Sequence, residues 1–370
     1  MSLVELWRKP EFKILFTGFF IMFLSFINLL FIEDVPFFKS YAFRQVFWIA
    51  IAIFTTLIIR NLRPKMVKDV SLPAYILSII LLVLVLFIGQ EISGSKSWIK
   101  FGGLFSFQPS EFAKIAFVFI IAKFYSELGA YSKSFAIKYI LGALFLVPPF
   151  ALIIAQPDFG SGFMLLLVSL SIIFTFSYNR IFLIVIFLIF CIISVPLWNN
   201  YLKDYQKERI VNFINPEKDP RGYGYNAIQS KIAIGSGKIT GKGFGNSSQG
   251  KFRFLPEKHT DFAFSVWAEQ TGFVGSLFLI ALFSFIVIYP LTFLNQIKDQ
   301  FLQVLLFGMC SYFFFHFMIN ICMTLGIFPV VGIPIVMFSY GGSSLLCASI
   351  ALSIISLIIA EYRDYNQLGV

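Results

Sequence analysis

The chain has 370 residues, 58% of them apolar and 13% charged, with 29 basic against 19 acidic side chains and a net charge of +10. A soluble domain carries about 25% charged residues, so these proportions exclude an ordinary globular domain. The basic residues sit at the ends of apolar runs, which reads as membrane topology and argues against a nucleic-acid partner.

Ten apolar segments follow one another: 12–32, 44–60, 71–89, 109–127, 137–155, 160–178, 181–199, 263–291, 301–325 and 338–360. Backbone polar groups in hydrocarbon need internal partners, so each segment is predicted as a helix. The result is an all-α integral membrane fold of about ten transmembrane helices, a single unit over 1–370. The first run is too long for a signal-peptide core and no small-residue cleavage pattern follows it, so it reads as a retained span. Pro148 and Pro149 are expected to kink the fifth span. Residues 200–262, between the seventh and eighth spans, form the one long polar connection, a length that usually carries function.

With the N-terminus inside, the cytoplasmic connections hold thirteen Lys and Arg residues, whereas the short outer loops hold Lys39, Arg44, Lys96 and Lys100. The positive-inside rule then puts both termini in the cytoplasm and residues 200–262 outside. Cys191, Cys310, Cys322 and Cys347 all lie in apolar runs without CxxC spacing, which argues against a disulfide framework or zinc site. The chain has two histidines, so a multi-histidine metal centre is excluded. His316, inside an apolar run, reads as a packed, hydrogen-bonded residue.

Polar chemistry collects at the outer face. In SWIKFGGLFSFQPSEFAK, 97–114, Gly102 and Gly103 break helix, and Pro109-Ser110 opens the fourth span. Glu111 and Lys114 then share a helical face. Ionisable groups at that depth are costly and usually paired; they read either as a structural ion pair or as a substrate-facing pair at a cavity mouth. In AQPDFGSG, 155–162, Asp158 reads first as the N-cap of the sixth span. The long loop supplies Arg209, Arg221, Lys231, Lys238, Lys242, Lys251, Arg253 and Lys258, and its 235–250 stretch has six glycines in sixteen residues. Such backbone can form N–H nests for anions, although SGKITGKG lacks the pattern of a P-loop. In LPEKHTDFAF, 255–264, Asp261 stands where a basic loop meets an apolar helix. It reads either as an acid favoured by the helix dipole or as a partly desolvated carboxylate suited to act as a general base. His259 is its neighbour in sequence. The last outer hairpin, FPVVGIPIVMFSYGGSSLL at 328–346, places small residues where helices approach closely and is expected to close the cavity, with Ser343 and Ser344 as minor polar contacts.

Taken together, QPSEFAK, AQPDFGSG, NPEKDPRGYGYNAIQSKIAIGSG, FLPEKHTDF and FSYGGSSLL, in this order from 97 to 346, make the chain resemble the SEDS family (shape, elongation, division and sporulation), most closely its rod-shape-determining branch. The resemblance covers nearly the whole chain. One departure is AEQTG, 268–272, where the family commonly carries a second acid after Glu269 and this chain has Gln270.

The resemblance implies a peptidoglycan glycosyltransferase that polymerises lipid II on the outer face of the cytoplasmic (inner) membrane during cell elongation. It also implies a class B penicillin-binding transpeptidase as partner, within the elongation machinery. Carried over by motif, Asp261 is the catalytic residue, and Glu111, Lys114, Asp158 and Gln229 match positions used for activity or structure. In the chemistry so implied, Asp261 takes the proton of an acceptor sugar hydroxyl as its oxygen attacks the anomeric carbon with inversion. Loop cations such as Arg209 or Lys231, or a divalent cation (Mg or Mn), would offset the charge on the departing pyrophosphate. Lys114 would orient a phosphate with Glu111 holding it. The rival readings are a lipid II flippase and a non-enzymatic scaffold for a transpeptidase.

Overall fold

The computed structural model describes residues 5, 7–32, 35–92, 94–101, 105–131, 135–177, 223–247 and 255–367. The predicted seventh span, 181–199, and Arg209, Arg221, Lys251 and Arg253 of the long loop lie outside them. The helices are α1 (Pro10–Ile32), α2 (Tyr41–Arg60), α3 (Pro64–Ile88), α4 (Pro109–Tyr131), α5 (Phe135–Ala155), α6 (Phe159–Ser177), α7 (Tyr223–Ser236), α8 (Ala263–Leu291), α9 (Gln300–Thr324) and α10 (Gly342–Gln367). Nine of the ten apolar segments are therefore helical, as their length requires, and α7 is a further helix within the long loop.

Seven of these helices (α1, α2, α3, α6, α8, α9 and α10) are long and apolar enough to cross a membrane. The helix α4 falls short of that composition because it carries Glu111, Lys114, Lys123 and Glu127, and its charges near the start are paired internally. Both Pro148 and Pro149 lie inside α5. The centre of the bundle is α9, which packs against α4, α8 and α6, while α10 packs against α2 and α1. The helices α2 and α3 turn large apolar side chains such as Phe54, Leu57, Ile80 and Phe87 outward, as lipid-facing helices do. Sparse polar pairs tie neighbours together inside the bundle: Gln45 Nε2 donates to Ser25 Oγ at 3.0 Å, Asn28 Nδ2 to Ala263 O at 3.2 Å, and Ser353 Oγ to Thr56 Oγ1 at 2.9 Å. At one end of the bundle Arg363 of α10 pairs with the buried Glu11 of α1.

The fold is not purely helical. Between α3 and α4 a three-stranded antiparallel sheet runs β1 (Gln90–Ile92), β2 (Ser95–Phe101) and β3 (Phe105–Phe107), with Ile99 opposite Phe107 and Phe101 opposite Phe105. Gly102 and Gly103, read as helix breakers, lie outside the described residues. Lys96 holds the ribbon down by donating from Nζ to Leu86 O (2.8 Å) and Phe87 O (3.3 Å), the free carbonyls at the end of α3. Ser95 Oγ donates to Gln156 O at 2.9 Å.

The glycine-rich loop also differs from the anion nest expected of it. The helix α8 breaks at Gly272 (φ 70°, ψ −162°), and the loop lies against the break. Lys242 N and Gly243 N donate to Glu269 O and Gln270 O, both at 3.0 Å. In return Phe273 N donates to Lys238 O (2.9 Å) and Val274 N to Ile239 O (3.1 Å). The backbone groups freed by a break in a buried helix need such partners, and the loop N–H groups at 242 and 243 are consumed in supplying them. Glu269, fully buried, completes the dock through Lys242 Nζ at 2.7 Å and Ser247 Oγ.

Candidate functional site

Five segments distant in sequence enclose a cavity of about 440 Å³, within the range of small-molecule sites. The ribbon and its exit supply Ser95, Ser97, Trp98, Ser106 and Gln108. Pro157 to Gly160 come from the α5–α6 turn, and Asn226, Ala227 and Lys231 from α7. Glu257, Thr260, Asp261 and Phe262 come from the turn before α8. The irregular stretch between α9 and α10, with the start of α10, adds Gly326, Phe328, Val330, Val331, Gly332, Pro334, Tyr340, Gly341 and Ser344.

Asp261 stands on this wall because the chain turns through 257–262 before α8 starts; its own carbonyl precedes the helix ladder, whose first acceptor is Phe262 O. A Cβ on Gly332 would lie 3.5 Å from Asp261 Oδ2, so the carboxylate has a bare backbone beside it. His259 stacks on Tyr41 with ring centroids 4.2 Å apart and accepts from Tyr340 N at its carbonyl, 2.8 Å. It thus anchors the turn to the stretch before α10.

Asp158 both caps and lines. Its Oδ1 accepts from Ser161 N at 3.1 Å, the N-cap geometry expected for α6, while its Oδ2 accepts from Gln108 Nε2 (2.8 Å) and Ser110 Oγ (3.2 Å). These bonds fix the start of α4 to the start of α6 at the floor of the cavity. Lys231 runs along the wall over Gly326. Gln229, two residues earlier on α7, is not part of the cavity lining; it is displaced because two positions on a helix point about 200° apart.

Glu111 and Lys114 do not reach the cavity. Lys114 Nζ lies 2.6 Å from Glu111 Oε1 and 2.9 Å from His316 Nε2, and Tyr312 OH donates to Glu111 Oε2 at 3.3 Å. Both ionisable residues are almost fully buried. Lys114 donating to Nε2 leaves His316 Nδ1 as the donor to Pro334 O, 3.4 Å away. The pair therefore sits one layer behind the wall and supports it through Pro334. His316 is packed and hydrogen-bonded, as expected. Ser343 accepts from Gln108 N at 3.0 Å and donates to Ser106 O at 3.1 Å, and Ser344 faces the cavity.

Among the described residues no group of three His, Cys, Asp or Glu side chains is placed to hold a metal ion. Asp158, one of the cavity carboxylates, already accepts three hydrogen bonds. Among the described residues of the wall, Lys231 is the cation placed to meet an anionic group.

Sequence reading missed Asn320, Gly326 and Gly332. Asn320 carried a signal, a polar amide inside an apolar run; Gly332 was visible only within a stretch of small packing residues, and Gly326 was not singled out.

Comparison with known proteins adds the identity of the fold. The sequence pattern of the cell cycle protein family FtsW/RodA/SpoVE matches residues 11–364. Peptidoglycan glycosyltransferase MrdB of Escherichia coli (strain K12) is 36% identical over 318 residues, covering 85% of this chain and 84% of that protein. Peptidoglycan glycosyltransferase RodA of Treponema pallidum (strain Nichols) is 30% identical over 394 residues, covering 86% and 89%. Among solved structures, a chain of a peptidoglycan synthase complex that coordinates polymerization and crosslinking superposes with a TM-score of 0.81 at 27% identity, covering 95% of this chain and 97% of that one. The rod shape determining protein RodA of Thermus thermophilus gives 0.70 at 25% identity, covering 95% and 96%.

Proposed function

This chain belongs to the FtsW/RodA/SpoVE family of cell cycle proteins and is a multi-pass, inner-membrane peptidoglycan glycosyltransferase, and on that premise we propose that its glycan transfer runs in the cavity beside Asp261. The donor is a glycan joined by pyrophosphate to a polyprenol, as in lipid II, and the acceptor is the 4-hydroxyl of a second lipid-linked sugar. Their tails need hydrocarbon and their head groups water, so a cavity at the end of a helix bundle suits both.

In this reading Asp261 accepts the proton of the acceptor hydroxyl while that oxygen forms the new bond to the anomeric carbon. The bond from that carbon to the pyrophosphate oxygen breaks on the opposite face, giving inversion. Base catalysis of this kind is worth roughly 10²–10⁴-fold. The leaving pyrophosphate gains charge as it departs, and Lys231, on the same wall, offsets it; Arg209 is a second candidate in the same loop. Asp158 and the Glu111–Lys114 pair act on the walls rather than on substrate, and Gln229 acts through α7. The single observation that carries the reading is Asp261 and Lys231 facing one cavity from two separate elements.

We place the cavity on the outer side with both termini in the cytoplasm, which the distribution of Lys and Arg supports. The superposition on a chain of a peptidoglycan synthase complex supports a class B penicillin-binding transpeptidase as partner, in the elongation machinery. The test is a glycan-ladder assay with purified protein and lipid II. Lengthening strands are expected; leaflet exchange of lipid II without product, or partner binding alone, would contradict the assignment.

A further inference from the structure

Asn320 lies on α9 with its side chain fully buried between two pieces of irregular backbone. Its Nδ2 donates to Asp261 O at 2.7 Å and to Ile333 O at 2.6 Å. An amide nitrogen has two protons, and both are spent here. Neither carbonyl belongs to a helix: Asp261 O precedes α8, and Ile333 O lies in the stretch between α9 and α10. Gly332, next to Ile333, is the residue whose bare Cα borders Asp261 Oδ2. One side chain on a well-packed helix thus joins the turn that carries the carboxylate to the stretch of wall beside it.

We infer that Asn320 is a positioning residue for the transfer reaction: by bridging the Asp261 and Ile333 carbonyls it holds the Asp261 carboxylate in place against the neighbouring 332–333 backbone of the cavity wall. The inference rests on Asp261 being the base. A leucine at 320 has similar volume but no donor, so both carbonyls are left unpaired and the turn is free to shift. A carboxylate at 320 would repel both. Misplacement by about 1 Å is enough to cost on the order of 10²-fold in rate. Because the amide touches backbone and not substrate, substrate affinity is not its target.

The experiment measures steady-state polymerisation of lipid II by the purified full-length protein as wild type, Asn320→Leu, Asn320→Ser, Asp261→Asn and the Asn320→Leu/Asp261→Asn double variant. Asn320→Leu is expected to lower kcat about 10²-fold and to change KM by no more than about twofold, the signature of an interaction that matters in the transition state. Asn320→Ser keeps a donor and leaves room for a water, and is expected to recover part of the rate; it also serves if the leucine variant does not fold. In the Asp261→Asn background the second substitution should remove nothing more. A wild-type kcat for Asn320→Leu or, where that variant does not fold, for Asn320→Ser overturns the inference. So does a loss confined to KM, or a loss that adds in full to that of Asp261→Asn. Wild-type polymerisation by Asp261→Asn alone would instead remove the base assignment itself.

Discussion

Gly326 shapes the site by what it lacks. Its φ is +70°, and a Cβ there would lie 2.0 Å from Lys231 Cε and 2.5 Å from its Nζ. The lysine stem crosses the glycine, so an alanine would both strain the backbone and push the ammonium off its course. Gly326→Ala is expected to slow polymerisation as Lys231→Met does, and the double variant should be no slower than the worse single one, because both act on one group. Additive losses in the same assay would separate the two residues. Behind the wall the outcome is different. Removing one partner of a buried ion pair strands the other charge and costs roughly 3–5 kcal/mol, so Lys114→Ala should lower the melting temperature as well as the rate. Lys114→Met combined with Glu111→Gln should recover much of the stability. An unchanged melting profile and rate for Lys114→Ala would mean the pair contributes nothing. Both residues were legible as an intramembrane pair, but their distance from the substrate was not. Only the placement of His316 and Tyr312, some 200 residues away, shows that they are enclosed.

At the scale of elements, the glycine-rich loop and α8 form one unit. Gly241 has φ +79°, and a Cβ there would lie 2.1 Å from Gln270 O; a Cβ on Gly272 would lie 2.3 Å from Gly241 N. The glycines serve the close approach of two backbones. Gly241→Ala is therefore expected to undock the loop, with faster amide exchange at 242, 243, 273 and 274 and little change in α9. Unaltered protection at those four amides would refute the dock. The sequence displayed the glycines, yet the acceptors of their neighbouring N–H groups are carbonyls freed by a break in α8, and no local pattern in AEQTGF marks that break. The ribbon escaped notice for a related reason. Its strands β1 and β3 are three residues long, too short for alternation to register, and what makes it a sheet is its anchoring by Lys96 and Gln156.

The whole molecule was the most legible level, because a run of about 20 apolar residues has one stable form in a bilayer. Nine predicted segments appear as helices, most ends shifted by a few residues and two (the start of α3 and the end of α10) by seven, while the site could be read only as separate motifs until the chain brought them to one cavity. The proposed orientation rests on charge alone and is open to direct measurement. With native thiols masked, a cysteine replacing Ile239 should react with an impermeant reagent in intact cells, and one replacing Lys65 only after permeabilisation; the reverse pattern would invert the topology. Transfer in this cavity depends above all on Asp261 as the base. Purified Asp261→Asn, compared with wild type on lipid II, should fold, melt normally and retain partner binding while making glycan strands roughly 10²–10⁴-fold more slowly. Strands made at the wild-type rate by that variant would contradict it.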